Sequence, residues 1–326
     1  MRRREFTVLV GGTAAWPFAA RAQQVGMPVI GFLNSGSTEQ FTRLLRAFHN
    51  GLEEAGFVAG QNVSIEYRWA DNERDRLRPM ADDLVRRQVR VIAATGGSPS
   101  ALAAKAATSI IPIVFAIGVD PVQVGLVSSL NRPGGNVTGA TMLAVDLGSK
   151  RLELLREVIP GARVIAALVN PTSPGAAIVL KDLQATADAL GLEVHILNAA
   201  SEREFETVFS DLSKLRAQGL VIGADPLFNN QSQQLAALAM RHAVPAIYQF
   251  HEFTEAGGLM SYGGSIADAY RQAGVYTGRV IKGERPADLP VQQSTKVELI
   301  LNLKTAKALG IEIRPTVLAR ADEVIE

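Results

Sequence analysis

Apolar positions along this chain switch between two periods. "PVIGFLNSG" (Pro28 to Gly36) is a nearly unbroken apolar run ending in polar turn residues, the pattern of a strand covered on both faces of a parallel sheet. In "FTRLLRAFHNGLEEAG", Phe41, Leu44, Leu45, Phe48 and Leu52 share one helical face, and Gly56 closes the helix. "NVSIEYRWA" returns to strand, with Val63, Ile65 and Tyr67 alternating. "DRLRPMADDLVRRQ" predicts a helix, "VRVIAAT" a strand, "SPSALAAKAATS" a helix and "IPIVFAI" a strand. This βαβαβαβ series predicts a doubly wound parallel sheet.

The series restarts at "ARVIAALVNPTSP" (Ala162 to Pro174), which echoes the first strand and its turn. "VLKDLQATADALG" predicts a helix, "LEVHILNA" a strand, "EFETVFSDLSKLRAQ" a helix and "GLVIGADPLFNN" a strand with its loop. "QLAALAMRHA" and "VPAIYQF" complete the repeat. The fold class is therefore α/β, with two doubly wound parallel-sheet lobes in tandem. Extended segments at "GNVTGATML", after "GGLMSYGG" and at "LPVQQSTKVELILN" predict a hinge of three crossings. Residues 23–143 plus 262–288 are assigned to one lobe, and 144–261 plus 289–326 to the other.

The opening "MRRREFTVLVGGTAAWPFAARAQQ" does not follow these periods. Arg2, Arg3 and Arg4 precede a short, weakly apolar stretch, and Ala20-Arg21-Ala22 fits a small-x-small cleavage pattern. Residues 1–22 read as an export signal, too short in apolar length for a membrane span. Arg3-Arg4-Glu5-Phe6 resembles the twin-arginine signature. Cleavage near Ala22 would release a periplasmic chain starting at Gln23.

Composition narrows the chemistry. The 326 residues carry 33 basic and 32 acidic side chains, a balance that does not argue for nucleic acid, which would want a basic face. With no cysteine, disulfides, thiolate metal sites and a Cys nucleophile are excluded. The sequence contains no phosphate-binding G-x-x-x-x-G-K-[ST], no G-x-S-x-G elbow and no H-E-x-x-H. His49, His195, His242 and His251 have no metal-ligand spacing. "TGGSPS" (Thr95 to Ser100) is not a dinucleotide fingerprint, and no acidic residue ends the following strand to hold a ribose. No cofactor is expected, and no enzyme.

An uncharged helix start and polar strand ends remain. Ser98 can cap the helix it opens, with Pro99 in the first turn; Thr95, Gly97 and Ser98 equally offer a carboxylate the N–H groups and dipole of that helix. Asn34 and Ser35 follow one apolar strand, and Asp120, Asn170, Asp225 and Gln249 follow others. In open α/β sheets such strand ends line the ligand crevice. Asp120-Pro121 and Asp225-Pro226 either start turns or place carboxylates for an ammonium group, and the repeated dipeptide reads as one place in both lobes. Phe228, Tyr248, Tyr262 and Trp69 either stack on a flat ligand or pack a lobe edge.

Four stretches carry a family resemblance: "FHNGLEEAGFVAGQNVSIEYRWADNERDRL", "TSIIPIVFAIGVDPVQVGLVSSLNRPGGNVTGAT", "RLELLREVIPGARVIAALVNP" and "LPVQQSTKVELILNLKTAKALGI". The chain resembles the substrate-binding proteins of ABC transporters that include the bacterial tryptophan- and tyrosine-binding proteins. The resemblance implies a periplasmic binding protein of the type I kind, closing on its ligand at a three-crossing hinge. It implies a cleft at Asn34-Ser35, Thr95 to Ser98, Asp120 and the loop Asp225 to Asn229. "NSGSTEQ" after the first strand and Gln249 depart from common family patterns, and they leave the ligand open between an aromatic amino acid and a small organic or aromatic acid. The partners implied are that small molecule and a membrane permease, to which a monomeric chain delivers its solute. A sensory receptor for a signalling partner is the alternative, and an α/β enzyme a more distant one.

Overall fold

A computed structural model describes residues 26–142, 147–174, 176–293 and 297–326. The expected export signal, and the lobe boundary set between residues 143 and 144, lie outside the described residues.

In chain order the first lobe contains β1 (Val29–Asn34), α1 (Thr38–Glu54), β2 (Ser64–Trp69), α2 (Leu77–Arg86), β3 (Val91–Thr95), α3 (Ser98–Ala107), β4 (Ile113–Ile117) and β5 (Val137–Thr141). The second contains α4 (Gly148–Val158), β6 (Val164–Val169), α5 (Ala176–Leu190), β7 (Glu193–Asn198), α6 (Phe205–Leu215), β8 (Gly219–Ile222), α7 (Pro226–Asn230), α8 (Ser232–Arg241), β9 (Ala246–Tyr248), α9 (His251–Glu255) and β10 (Met260–Gly264). There follow α10 (Ile266–Ile281), β11 (Gln292–Gln293), β12 (Val297–Asn302), α11 (Leu303–Ala308), α12 (Pro315–Leu318) and β13 (Glu323–Ile325).

The first sheet runs β11-β5-β4-β3-β1-β2 and the second β13-β12-β10-β9-β8-β6-β7. Every pairing in the first is parallel. In the second, among the described residues, only β10 and β12 run antiparallel. Both are doubly wound, as the apolar runs require: Ile30 and Phe32 of β1 face Phe48 and Leu52 of α1, while Leu33 joins Leu77, Leu84 and Ala101 on the other face. In the second lobe Ala166 and Leu168 meet Phe209 and Leu235, and Ile165 and Ala167 meet Leu155 and Leu183.

Two boundaries differ from the sequence assignment. β10 extends the second sheet to Gly264, so Tyr262 belongs there rather than to the first lobe. β11 pairs with β5, so residues 289–293 do not join the second lobe. Backbone pairing, which local apolarity does not report, decides both.

After β10 the chain re-enters the first lobe as α10, which packs on α1 and on β3, β4 and β5. Glycines allow the two helices to touch: a Cβ on Gly51 would stand 1.9 Å from the Arg271 carbonyl oxygen, and one on Gly274 2.1 Å from that of Phe48. This close crossing brings Tyr270, distant in sequence, to the end of β3.

Candidate functional site

The carboxyl ends of both sheets face each other across a cavity of about 400 Å³, within the range of small-molecule sites. In topology β1, β3 and β4 correspond to β6, β8 and β9. The end of β3 therefore corresponds to the end of β8, and they meet: Gly97 and Pro226 approach so closely that a Cβ on Gly97 would lie 2.4 Å from Pro226 Cγ.

On the first-lobe side, Asn34 is fully buried. Its Nδ2 donates to Thr95 Oγ1 at 3.0 Å and to the Tyr270 hydroxyl at 3.2 Å, and its Oδ1 accepts the Gly36 N–H at 2.8 Å. Ser35 Oγ donates to the Gly96 carbonyl at 2.6 Å, and the Gly96 N–H donates to the Tyr270 hydroxyl at 2.8 Å. Burial pushes the Tyr270 phenol well above its ordinary value, so it stays neutral. Asn34, Ser35 and Thr95 thus form the bed of the loop; the cavity wall is Gly96, Gly97 and Ser98. Gly97, at φ +97°, is the N-cap of α3, and no side chain caps the helix. Ser98 is not the cap expected from the sequence; it occupies the first helical position.

On the second-lobe side, Asp225 caps α7. Its Oδ1 accepts the Leu227 N–H and Asn170 Nδ2, both at 3.0 Å. Asn170 is oriented in turn because its Oδ1 accepts the Thr172 N–H at 3.0 Å and the Thr172 hydroxyl at 2.8 Å. The other oxygen, Oδ2, faces Arg74 Nη2 of the opposite lobe at 3.3 Å. Burial raises the Asp225 carboxyl above its ordinary value, opposed by Arg74 and by hydrogen bonds from Asn170, Leu227 and Ser173. Asn229 lines the cavity, and Gln249 Nε2 donates to its Oδ1. Gln249 Oε1 is buried without a partner among the described residues.

The remaining wall is aromatic and aliphatic: Phe41, Phe250, Phe253, Tyr270, Ile117 and Met142. Glu39, Arg43, Ser173 and Glu252 add polar groups. Burial raises the Glu252 carboxyl, with Arg43 opposing. Among the described residues no group of three or more His, Asp or Glu side chains is placed to hold a metal ion. No helix among them is long and apolar enough to cross a membrane.

Of the sequence candidates, Gly97, Ser98, Asp225 and Asn229 line the cavity, while Asn34, Ser35, Thr95, Asn170 and Gln249 stand behind it. Three lie elsewhere. Asp120 caps an outlying turn, accepting the Val122 N–H at 2.7 Å and that of Gln123 at 3.4 Å. It follows β4, whereas Asp225 follows β8, the counterpart of β3; the two Asp-Pro dipeptides do not share a place. Phe228 is wholly buried against Phe205, because α7 turns that face to the core. Tyr262 sits in β10 paired with Leu299, and its carbonyl accepts Arg151 Nε at 2.9 Å. Trp69 packs with Phe32, Phe41 and Tyr67, and Tyr248 stacks on Phe253 at 4.6 Å. Sequence reading missed Phe41, Arg43, Phe250, Glu252 and Tyr270. Phe41 and Tyr270 carry a core-helix signal, and nothing local distinguishes a residue at the end of a core stripe from one at a cavity.

Known proteins place this geometry. A curated tyrosine-binding protein of Clostridioides difficile (strain R20291) is 29% identical over 268 residues, 82% of this chain and 76% of the relative. A crystal structure from Streptococcus pneumonia, described as an ABC domain in complex with L-Trp, matches with a TM-score of 0.82 at 24% identity, covering 92% of this chain and all of that one. The ligand-free, open structure of a Clostridium difficile substrate-binding protein with adhesive properties matches with a TM-score of 0.64 at 27% identity, covering 91% and 99%. The sequence profile of the ABC transporter substrate binding protein family matches residues 30–325, nearly the whole described fold, and the chain belongs to that family.

Proposed function

We propose that this protein captures a small solute with an aromatic or apolar body and an acid group, and delivers it to the membrane permease of an ABC importer. One observation carries this reading: the cavity between the lobes joins an uncharged helix start, Gly97-Ser98, to a wall of Phe41, Phe250, Phe253 and Tyr270. N–H groups at a helix start suit a carboxylate, and the rings suit a flat apolar body. The tyrosine and L-Trp named for two relatives make an aromatic amino acid the first candidate, and an aromatic acid the second. Gly97, Ser98 and Asn229 are the proposed contacts. Asn34, Ser35, Thr95, Asn170 and Gln249 hold them in place.

Binding is coupled to closure because the solute touches both walls only when the lobes meet. The protein acts as an exported, periplasmic monomer, and no bond is made or broken. The test is a thermal-shift screen of the chain from Gln23, unfolded and refolded to strip bound solute, against amino acids, aromatic acids, small organic acids, sugars and nucleotides. A solute at 100 times its dissociation constant stabilises by about 2.7 kcal/mol. A shift with an aromatic amino acid or acid supports the reading; a shift with nucleotides alone overturns it. Of the two tryptophans, only Trp69 remains in that chain. It lies against Phe41 of the cavity wall, so its fluorescence reports occupancy.

A further inference from the structure

The segment Ala70 to Arg76 lines none of the cavity, yet it spans the two lobes. It is fixed to the first by three backbone bonds: Ala70 N–H to the Asn34 carbonyl at 3.0 Å, Asp71 N–H to that of Gly36 at 3.0 Å, and Asn72 N–H to that of Ser35 at 2.7 Å. These acceptors belong to the bed that Asn34 ties to Thr95 and Tyr270. Asp71 and Asn72 hold consecutive left-handed conformations, φ 53° and 64°. Such conformations persist where surrounding structure imposes them, often at binding and switch sites.

From this base the segment reaches the second lobe. Arg74 Nη1 donates to the Thr172 carbonyl at 2.7 Å, and its Nη2 faces Asp225 Oδ2 at 3.3 Å. Asn72 Oδ1 accepts Asn230 Nδ2 at 2.6 Å, and Asn72 Nδ2 donates to Glu202 at 3.4 Å. Arg43 also bridges the lobes, to Glu255 at 2.7 Å and to Glu252 at 3.7 Å, but the Arg43 side chain is 53% exposed and its partners 48% and 26%, and exposed pairs contribute little in water. Arg43 also lines a small cavity with the hinge residues Gly264 and Ser265. The Asp225 side chain, by contrast, is only 2% exposed. A buried charge that loses its partner is strongly unfavourable, whereas removing both charges can be nearly neutral.

We propose that residues 70–76 form a clasp that holds the lobes closed through Arg74 on Asp225, and that it does so without a solute. Arg74 is a positioning residue: it sets the closed population, and hence affinity, from outside the cavity. Asp225, which the sequence left open between a turn residue and an ammonium acceptor, is on this reading committed to the protein's own guanidinium. The inference rests on the two-lobe receptor reading but needs no knowledge of the ligand.

The test exploits the absence of cysteine. Gln61→Cys and Ala185→Cys, both exposed and one in each lobe, carry spin labels on the solute-free full chain, whose distance distribution is measured by double electron–electron resonance. The unaltered clasp should show a closed-distance population. Arg74→Ala should reduce its ratio to the open form about tenfold or more, and adding Asp225→Asn should restore most of it. Circular dichroism confirms that each variant is folded, and Arg74→Lys provides a second variant that keeps the charge and should retain part of the closed population. An open-only distribution in the parent chain, an Arg74→Ala distribution equal to the parent's, or a double variant as open as Arg74→Ala overturns the clasp. None of these outcomes depends on a solute, so a failed screen and a failed clasp are distinguishable.

Discussion

The ends of β3 and β8 occupy the same place in their two sheets and have opposite chemistry. β3 runs into Gly96-Gly97-Ser98, a turn without charge whose glycines sit at φ +81° and +97°. β8 leads through Ala224 to Asp225-Pro226, where a buried carboxylate is held by Asn170, Leu227 and the opposite lobe's Arg74. One side presents backbone donors whose strength does not change with pH. The other presents a titratable group that the protein satisfies by itself. Duplicated topology therefore did not produce duplicated chemistry: on the proposed reading one wall receives an anion, and the other binds its own partner lobe.

The comparison breaks first at Asp225. Asp225→Ala removes a helix cap and leaves Arg74 and Asn170 without their acceptor; urea unfolding should show a loss of about 3 kcal/mol. If stability changes by less than about 0.5 kcal/mol, the surface-substitution range, the buried network is not what it looks like. Gly97→Ala places a Cβ 2.4 Å from Pro226 Cγ at φ +97°. The backbone strain at this φ, about 1–3 kcal/mol, is carried in both forms and should lower the melting temperature, whereas the clash with Pro226 exists only with the lobes together and should appear as a roughly tenfold or greater loss of solute affinity. Unchanged affinity would mean that the two strand ends need not meet.

The pH dependence sharpens the contrast at a smaller scale. The Asp225 carboxyl is raised above 3.8 by burial, with Arg74 opposing. The folded chain thus keeps this proton where the unfolded chain has lost it, so the group's contribution to stability falls as pH rises from about 3.8 through the folded value and is flat above. Asp225→Asn removes that dependence while keeping a capping oxygen. Its stability relative to wild type should rise with pH across the window, measured by denaturant unfolding from acid to neutral pH. A falling difference would show that Arg74, not burial, dominates. The smallest effect is expected at Asp120, the other Asp-Pro. Asp120→Ala loses one exposed turn cap, about 1 kcal/mol or less, and should leave solute binding unchanged.

Much of the fold is legible along the chain. The runs at Pro28 to Gly36 and Ala162 to Pro174 show parallel strands covered on both faces, because burial on both sides leaves no polar alternation. The site was legible only in part. Thr95 to Ser98 and Asp225 to Asn229 stand out because polar groups follow apolar strands, but so does Asp120, and the same local chemistry cannot rank them. Tyr270 was invisible because its hydroxyl meets Gly96 across 174 positions of chain, while its ring reads as one more core position of α10.

By itself the amino-acid order determined the alternation of strand and helix, the restart that makes two lobes, and the family, since each depends on local periodicity and contiguous motifs. Only the tertiary structure decided which strand ends face each other, that β11 joins the first sheet, and that Arg74 meets Asp225 across 151 positions. Strand order and lobe closure are settled by backbone pairing and desolvation between distant segments, and neither leaves a mark in the neighbouring residues.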